Sequence, residues 1–391
     1  MGSGFVIDAA RAAEFKKHLP PENGKVIRPI VNARDLTQSR RGVYAIDLLG
    51  LDLAEVRSQL PQIYQWLHDS VKPERDQSKR ESYRRLWWLF GEPRKSFRPA
   101  LFGLSRYIVT PMTAKHRTFL FETSDTLADQ GLVVIASDDV YLLGVLSSRV
   151  HVCWALAQGG RLGMGNDPRY NNTRCFETFP FPDADESQKA RVRLIAESLH
   201  EHRKRVLDEH NELMLTQLYN VMAALNSGAT LTAKERLIHD KGLVGVLREL
   251  HAELDSVVAE AYGWPGALSD EELLMRLVEL NAKRVAEEKV GIIRWLRPSY
   301  QNPEGNATNQ SEFAVKTIQA ATSKSGTKIS LPADLPGRFA AVRHSLSLGA
   351  ATPAEVAKRF KGARKTTVDE ICSTLLALGQ IRDAGHGRFQ V

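Results

Sequence analysis

Three cysteines in 391 residues, Cys153, Cys175 and Cys372, are too few and too scattered for a disulfide framework or a zinc cluster. No apolar run reaches the roughly 18 residues of a membrane span. The start, Met1-Gly2-Ser3-Gly4-Phe5, has no basic segment leading into an apolar one, so it does not read as a secretory signal. No P-loop is present. The glycine run from Gly159 to Gly165 follows a helical pattern rather than a strand and lacks the order of a dinucleotide loop. The only Pro-Pro pair, Pro20-Pro21, has neither the polar nor the aromatic flank that holds an amine for methyl transfer. These gaps leave a chain of a reducing cytoplasm, without a membrane segment and without a cofactor or nucleotide loop of its own.

What is present is ordinary bulk with uneven charge. Hydrophobic content is 43% and charged content 25%, values of a globular chain long enough for two or three domains. Residues 1–182 carry 25 Lys and Arg against 19 Asp and Glu, residues 183–302 carry 16 against 20, and residues 303–391 carry 12 against 7. Both ends are basic and the middle is acidic. Basic blocks attract polyanions and release counterions on binding, although solubility charge gives the same sign.

The pattern along the chain predicts an α+β fold. Strands are expected at 25–33, 42–52, 105–111, 119–123 and 131–137, and an amphipathic helix at 51–71 with Pro61 kinking or dividing it. The apolar strand 131–137 runs through Ser137-Asp138-Asp139, good N-cap residues, into an apolar helix at 140–157. After Phe179-Pro180-Phe181-Pro182 the chain becomes charged and helical. Helices are expected at 187–225, 232–262 and 269–289, the last two opened by the capping boxes Thr232/Glu235 and Ser269/Glu272. Residues 303–338 read as a linker rich in Asn, Ser, Thr, Gly and Pro. Helices at 339–347, 353–360 and 366–378 and a hairpin at 380–391 then make a small winged-helix-like unit. Arg364 and Lys365 open its would-be recognition helix. Such units also mediate protein contacts, so both uses stay open.

Catalytic constellations are weak. Asp270 with Glu287-Glu288-Lys289 matches a metal-nuclease pattern in letters, but charged helices produce such matches as solvated faces. His200, His202 and His210 include an i, i+2 pair that points to different helix faces. They are expected on the surface. Recognition chemistry is stronger. Residues 72–98 hold nine basic and four acidic residues interleaved with Tyr83, Trp87, Trp88, Phe90 and Phe97. Trp87, Trp88 and Phe90 are expected in the core with the basic side outward. Lys72, Arg75, Lys79, Arg80, Arg84 and Arg85 are therefore candidates for DNA contact, phosphates for the lysines and phosphates or guanine edges for the arginines. The loop triplet Lys115-His116-Arg117 has the same reading. In "RYNNTRCF", residues 169–176, Asn171 and Asn172 suit adenine edges or phosphates, and equally suit turn caps. Arg161, Arg169 and Arg174 suit DNA contact or a domain junction.

"VNARDLTQSRRGVYAIDLLGLD", "VKPERD", "WWLFGEPR", "IASDDVYLLGVLSSRVHVCWALAQGGRLG" and "DPRYNNTRCFETFPFP", in this order, resemble the target-recognition domain of single-chain type IIG/IIL restriction–modification enzymes and their adenine-methylase relatives. "LTAKERLIHDKGLVGVLRELHAELDSVVAEAYGWP" and "ELNAKRVAEEKVGIIRWLRPSYQ" resemble their helical C-terminal region. The resemblance covers roughly residues 1–302. It implies a recognition domain at 1–183, a helical domain at 184–302, and double-stranded DNA as partner. In the family an S-adenosylmethionine-dependent N6-adenine methylase domain precedes these parts. The resemblance thus implies a fragment or subunit that binds no cofactor itself and works with a methylase fused upstream or supplied in trans. A truncated product, a split gene and a misplaced start codon all give such a chain. Unaided DNA methylation and a purely protein-binding helical adaptor are the rival readings.

Overall fold

In β4 (Arg106–Pro111) five consecutive side chains from Tyr107 to Pro111 are buried, as a strand covered on both faces requires. This strand is the middle one of a three-stranded sheet in the computed structural model, which describes residues 3–92, 97–162, 167–303, 329–332, 335–377, 381–385 and 387–390. Residues 1–303 form one unit and residues 304–391 another. The linker expected over 303–338 falls mostly outside the described residues.

The first unit opens with a sheet of order β1–β3–β2–β6. Its strands are β1 (Val6–Ile7), β2 (Ile27–Val31), β3 (Tyr44–Ile46) and β6 (Leu127–Ala128), and only the β2–β6 pair is parallel. Short helices surround it: α1 (Ala9–Lys17), α2 (Ala33–Thr37), α3 (Leu53–Gln59), α4 (Pro61–Ser70), α5 (Lys72–Asp76), α6 (Glu81–Arg85) and α7 (Phe97–Ala100). Pro61 divides α3 from α4 because it has no N–H to continue the ladder and suits the first position of a new helix. The core here joins Phe5, Ile46, Val56, Ile63, Leu67, Trp87 and Trp88. The indole N–H groups of Trp66 and Trp88 are satisfied by backbone, Trp66 on Gly4 O at 2.8 Å and Trp88 on Leu51 O at 3.1 Å.

A second, antiparallel sheet has the order β5–β4–β7, with β5 (Leu120–Thr123) and β7 (Leu132–Ile135) flanking β4. Helices α8 (Val140–Ser147) and α9 (Arg149–Gln158) follow, bent by 63° where a single helix was expected. Ser148 is the reason. Its backbone is extended and its hydroxyl donates to Val145 O at 2.7 Å, while Asp255 accepts the Arg149 N–H at 2.6 Å and caps the new helix. Helix α8 has two working faces. Leu142, Leu143 and Leu146 pack on the sheet, and Tyr141 and Val145 enter the helical core. Each such buried leucine contributes about 1.5–3 kcal/mol of transfer free energy. A Cβ on Gly144 would lie 2.6 Å from Val192 Cγ1, so this glycine sets how closely α8 approaches the next long helix.

That helix is α10 (Glu186–Glu209), followed by α11 (Leu215–Asn226), α12 (Ala233–Lys241), α13 (Val244–Ala261), α14 (Asp270–Lys289) and α15 (Pro298–Gln301). Two expected helices are thus four. The first breaks at His210–Met214, and the second at Gly242-Leu243, where Leu243 adopts φ 45°. No single helix among the described residues is long and apolar enough to cross a membrane, and the bent α8–α9 pair is core.

The second unit pairs β10 (Ile329–Ser330) with β11 (Phe360–Lys361), and contains α16 (Leu335–Ser347), α17 (Pro353–Arg359) and α18 (Lys365–Ala377). Strands β12 (Arg382–Asp383) and β13 (Phe389–Gln390) form an antiparallel hairpin.

Candidate nucleic-acid interface

The candidate cations of the first unit fall into two sets built on different cores. The first surrounds α5 and α6, over the Trp87/Trp88 core. Lys79, Arg80, Arg84 and Arg85 are exposed there. Arg80 leans on Tyr83, with Nη1 at 3.1 Å from the phenol oxygen, and Arg84 donates to Ser78 O. Lys79 and Arg85 have no hydrogen bond or ion pair among the described residues. Lys72 is half-buried and pairs with Asp76 in the same turn of helix. Arg75 corrects the expectation that the basic residues of the stretch face outward. It is 6% exposed, with its guanidinium 4.5 Å from the Tyr83 ring centroid and 5.6 Å from that of Phe5. A helix of this length turns one side inward, and Arg75 lies on that side with its charge against aromatic faces.

The second set sits where the β4–β5 loop meets a small hairpin of β8 (Gly160–Leu162) and β9 (Asp167–Arg169). Gly160–Leu162 of the glycine run thus form β8 after helix α9, and residues 163–166 lie outside the described residues. Tyr170 N donates to Met112 O at 2.7 Å and Thr113 bridges to Arg169, so loop and hairpin form one edge. Lys115, Arg161 and Arg169 are exposed along it. Lys115 Nζ at 2.6 Å and His116 Nε2 at 2.8 Å both donate to Asn220 Oδ1 on α11. Burial lowers the pKa of His116 below its ordinary value, and its hydrogen bond to Asn220 acts the other way.

Arg117 is the second correction. It is 8% exposed and donates to Thr110 Oγ1 at 3.0 Å, to Pro111 O, and to Pro168 O at 3.1 Å. No carboxylate meets it among the described residues. Burial lowers its pKa to about 10, and carbonyl oxygens carry the compensation. Arg117 therefore ties the loop to the hairpin instead of reaching outward. Beneath it, His151 Nε2 lies 3.0 Å from the Tyr170 hydroxyl, and full burial drives the imidazole down to about 3.

Residues 172–176 form one turn of π-helix, and Glu177 N–H reaches Asn172 O at 2.8 Å. Asn171 caps it, accepting from Thr173 N at 3.0 Å and Thr173 Oγ1 at 2.6 Å. Asn172 reaches Glu177 Oε1 at 3.3 Å. Asn171 thus caps the turn, while Asn172 pairs with Glu177. Arg174 is exposed on this turn.

The histidine expectation also changes. His202 is 5% exposed and His200 half-buried, so neither is a free surface group. Asp270 opens α14 and pairs with Arg149, whereas Glu287 lies 17 residues on, about 25 Å along the helix axis. No acidic triad is assembled from them. Sequence reading missed Arg203, which is fully buried against Phe119 O at 3.1 Å, the Tyr219 hydroxyl and His251 Nε2 at 3.2 Å. Its partners lie 16 to 84 residues away, so no local motif marks them.

A mixed-sheet body with exposed cations on its loops, joined through helix α8 to a helical bundle, is the class of fold these residues define. The particular family follows from the comparisons. Residues 1–183 match the sequence profile described as "MmeI, target recognition domain", and that segment is a target recognition domain of the MmeI family. Over 179 residues the chain is 30% identical to DNA methyltransferase A of Bacillus subtilis (strain 168), spanning 44% of this chain and 17% of that protein. The fold is similar to that of the type IIL restriction–modification enzyme MmeI, solved in complex with DNA. The TM-score is 0.52 at 19% identity, over 72% of this chain and 34% of that one. The chain therefore spans about a sixth of the curated relative and about a third of the solved enzyme.

Proposed function

We propose that residues 1–303 read the sequence of a DNA duplex for an S-adenosylmethionine-dependent N6-adenine methyltransferase of a restriction–modification system. The match of residues 1–183 to a target recognition domain carries this reading. The division of labour is recognition here and methyl transfer on a methylase domain or subunit, fused or acting in trans. The adenine would be flipped into that partner's pocket, since a base inside a duplex is out of reach of a methylating site. S-adenosylmethionine belongs to that partner. A cytoplasmic location goes with this reading, because that is where a bacterial restriction–modification system meets DNA.

In this reading Lys79, Arg80, Arg84 and Arg85 form one contact region, with Lys72 beside them. Lys115, Arg161, Arg169 and Arg174 form the other. Exposed cations contact phosphates and fix register, while arginines that reach a groove address guanine edges in pairs of hydrogen bonds. Selection of the full chain against a pool of randomised duplexes tests the claim. Convergence on one short sequence is the expected result, and a pool that stays flat contradicts it. Calorimetric titration with S-adenosylmethionine separates the rival of unaided methylation, for which binding by this chain alone is required.

A further inference from the structure

The second unit lies outside the segment matched to the recognition family. We propose that it is a separate duplex-DNA contact module, a winged helix that grips the phosphate backbone through Lys358, Lys361, Arg364 and Lys365. This inference does not rest on the reading of residues 1–303.

Topology is the first argument. Helix α16 leads to Ala351, which bridges antiparallel to Phe389 of β13 through two hydrogen bonds of 3.1 and 2.9 Å. Helix α17 follows, then the two-residue β11 and a turn, helix α18 and the β12–β13 hairpin. A strand position between the first two helices, paired to the last strand of a C-terminal hairpin, is the winged-helix arrangement. The core is closed. Val342 and Leu346 of α16 meet Val356 and Ala357 of α17, Val368, Ile371, Cys372 and Leu375 of α18, and Ile381. In α18 the buried positions recur at helical spacing, so Lys365, Thr366, Asp369, Glu370 and Ser373 face outward.

Charge is the second argument. Residues 335–391 hold nine Lys and Arg against four Asp and Glu. Some cations are engaged internally. Arg338 reaches Pro332 O at 2.9 Å, Arg359 reaches Ser345 Oγ at 3.0 Å, and Arg388 pairs with Glu355 at 3.1 Å. Lys358, Lys361, Arg364 and Lys365 are exposed and have no hydrogen bond or ion pair among the described residues. They run through the end of α17, the turn at Gly362 with φ 76°, and the first residue of α18. Four unneutralised like charges within eight residues repel one another, and a row of phosphates relieves that repulsion.

The two arguments meet at the same place. In a helix-turn-helix the start of the second helix enters the major groove while the turn lies against the backbone. Arg364 and Lys365 occupy that turn and that start, and Lys358 and Lys361 lie just before them at the end of α17 and in β11. Thr366 adds a hydroxyl for phosphate or base contact. Asp369 and Glu370, one turn further on, oppose phosphate and confine the cationic contact to the turn and the first residues of α18. Within a groove their carboxylates accept from cytosine amino groups.

The test uses the full chain and a duplex of arbitrary sequence, with affinity followed by fluorescence anisotropy over a series of salt concentrations. The fourfold variant K358A/K361A/R364A/K365A is expected to lower the slope of log affinity against log salt by about 3 to 4. Lys365→Ala alone is expected to lower it by about 1. All four side chains are exposed, and an unchanged thermal transition confirms that each variant folds. A folded fourfold variant with the wild-type slope overturns the proposal, and so does a wild-type chain that binds no duplex at low salt. The double variant K79A/R85A is measured alongside. If it changes binding while the fourfold variant does not, this proposal fails and the first unit's role stands. The reverse result separates them the other way. Transfer of the fourfold effect to an acidic protein instead of DNA, with duplex binding unaltered, also overturns it.

Discussion

Arg117 and Arg85 belong to the same kind of sequence, a short basic stretch in the first unit, yet they do opposite things. Arg117 is buried under Tyr170 and bonded to Thr110, Pro111 and Pro168, while Arg85 stands exposed with no bond among the described residues. The contrast extends across the unit. Arg28 and Arg98 converge on Asp47, Arg41 holds Asp35, Arg40 reaches Glu122, and Arg106 grips Glu197 at 2.9 Å. Much of the positive charge in residues 1–182 therefore joins elements to one another. Net charge overstates what a polyanion meets, and the free cations are a short subset headed by Lys79 and Arg85. A buried arginine here acts on the fold, whereas exposed ones are either paired within it, as Arg40 and Arg41 are, or left unpaired among the described residues, as Arg85 is.

Removing the buried member gives the largest expected effect. Arg117→Ala leaves two buried carbonyls and a hydroxyl without their donor, and about 3 kcal/mol of stability is expected to go, read as a lower urea midpoint. A change within about 0.5 kcal/mol, the range of an ordinary surface site, would place Arg117 with the exposed class.

Acid probes the same interior. Burial drives His151 and His251 down to about 3, below their unfolded value of about 6.5. The unfolded chain therefore binds more protons between these values, and stability falls with pH there. Asp255 runs the other way. Burial raises it to about 6, so acidification relieves its cost between that value and its ordinary one. Between about pH 7 and about pH 5 the three together are expected to remove about 2–3 kcal/mol. A midpoint that stays constant over this range contradicts the neutral, buried state of the two histidines.

Asn220 tests the border between the classes. Its Oδ1 holds both Lys115 and His116. Asn220→Ala is expected to cost about 1 kcal/mol. It also frees Lys115 for a phosphate, so duplex affinity at low salt should hold or rise. A loss of affinity equal to that of Lys115→Ala would mean that Lys115 contacts DNA only in its anchored position. The smallest expected effect belongs to Leu243, whose φ of 45° is unfavourable for a side chain with a Cβ. Leu243→Gly is expected to change stability by about 1 kcal/mol or less, in the stabilising direction, as a rise in the thermal midpoint.

Much of this was legible in the chain. Strands 106–111, 120–123 and 132–135, the Pro61 break and the caps at Asp139, Thr232 and Ser269 lie where local pattern put them. These depend on alternation, on proline's missing donor and on side chains that reach their own backbone. The break at Ser148 was hidden because its cause, Asp255, is over a hundred residues away. The use of Asn171 as a cap was one of two local options, and the π turn settled it. The fates of Arg75 and Arg117 were illegible for the same reason as Ser148. Whether a cation is covered depends on Phe5, Tyr83, Pro168 and Tyr170, which the fold brings in from elsewhere.

The claim that free cations, not total charge, meet DNA is tested most directly by salt dependence in K79A/R85A. Each variant side chain is exposed, so the urea midpoint should stay within about 0.5 kcal/mol of wild type. The slope of log affinity against log salt, measured on the duplex that selection enriches, should fall by about 2, with the preferred sequence unchanged. An unaltered slope in the folded double variant would contradict the claim.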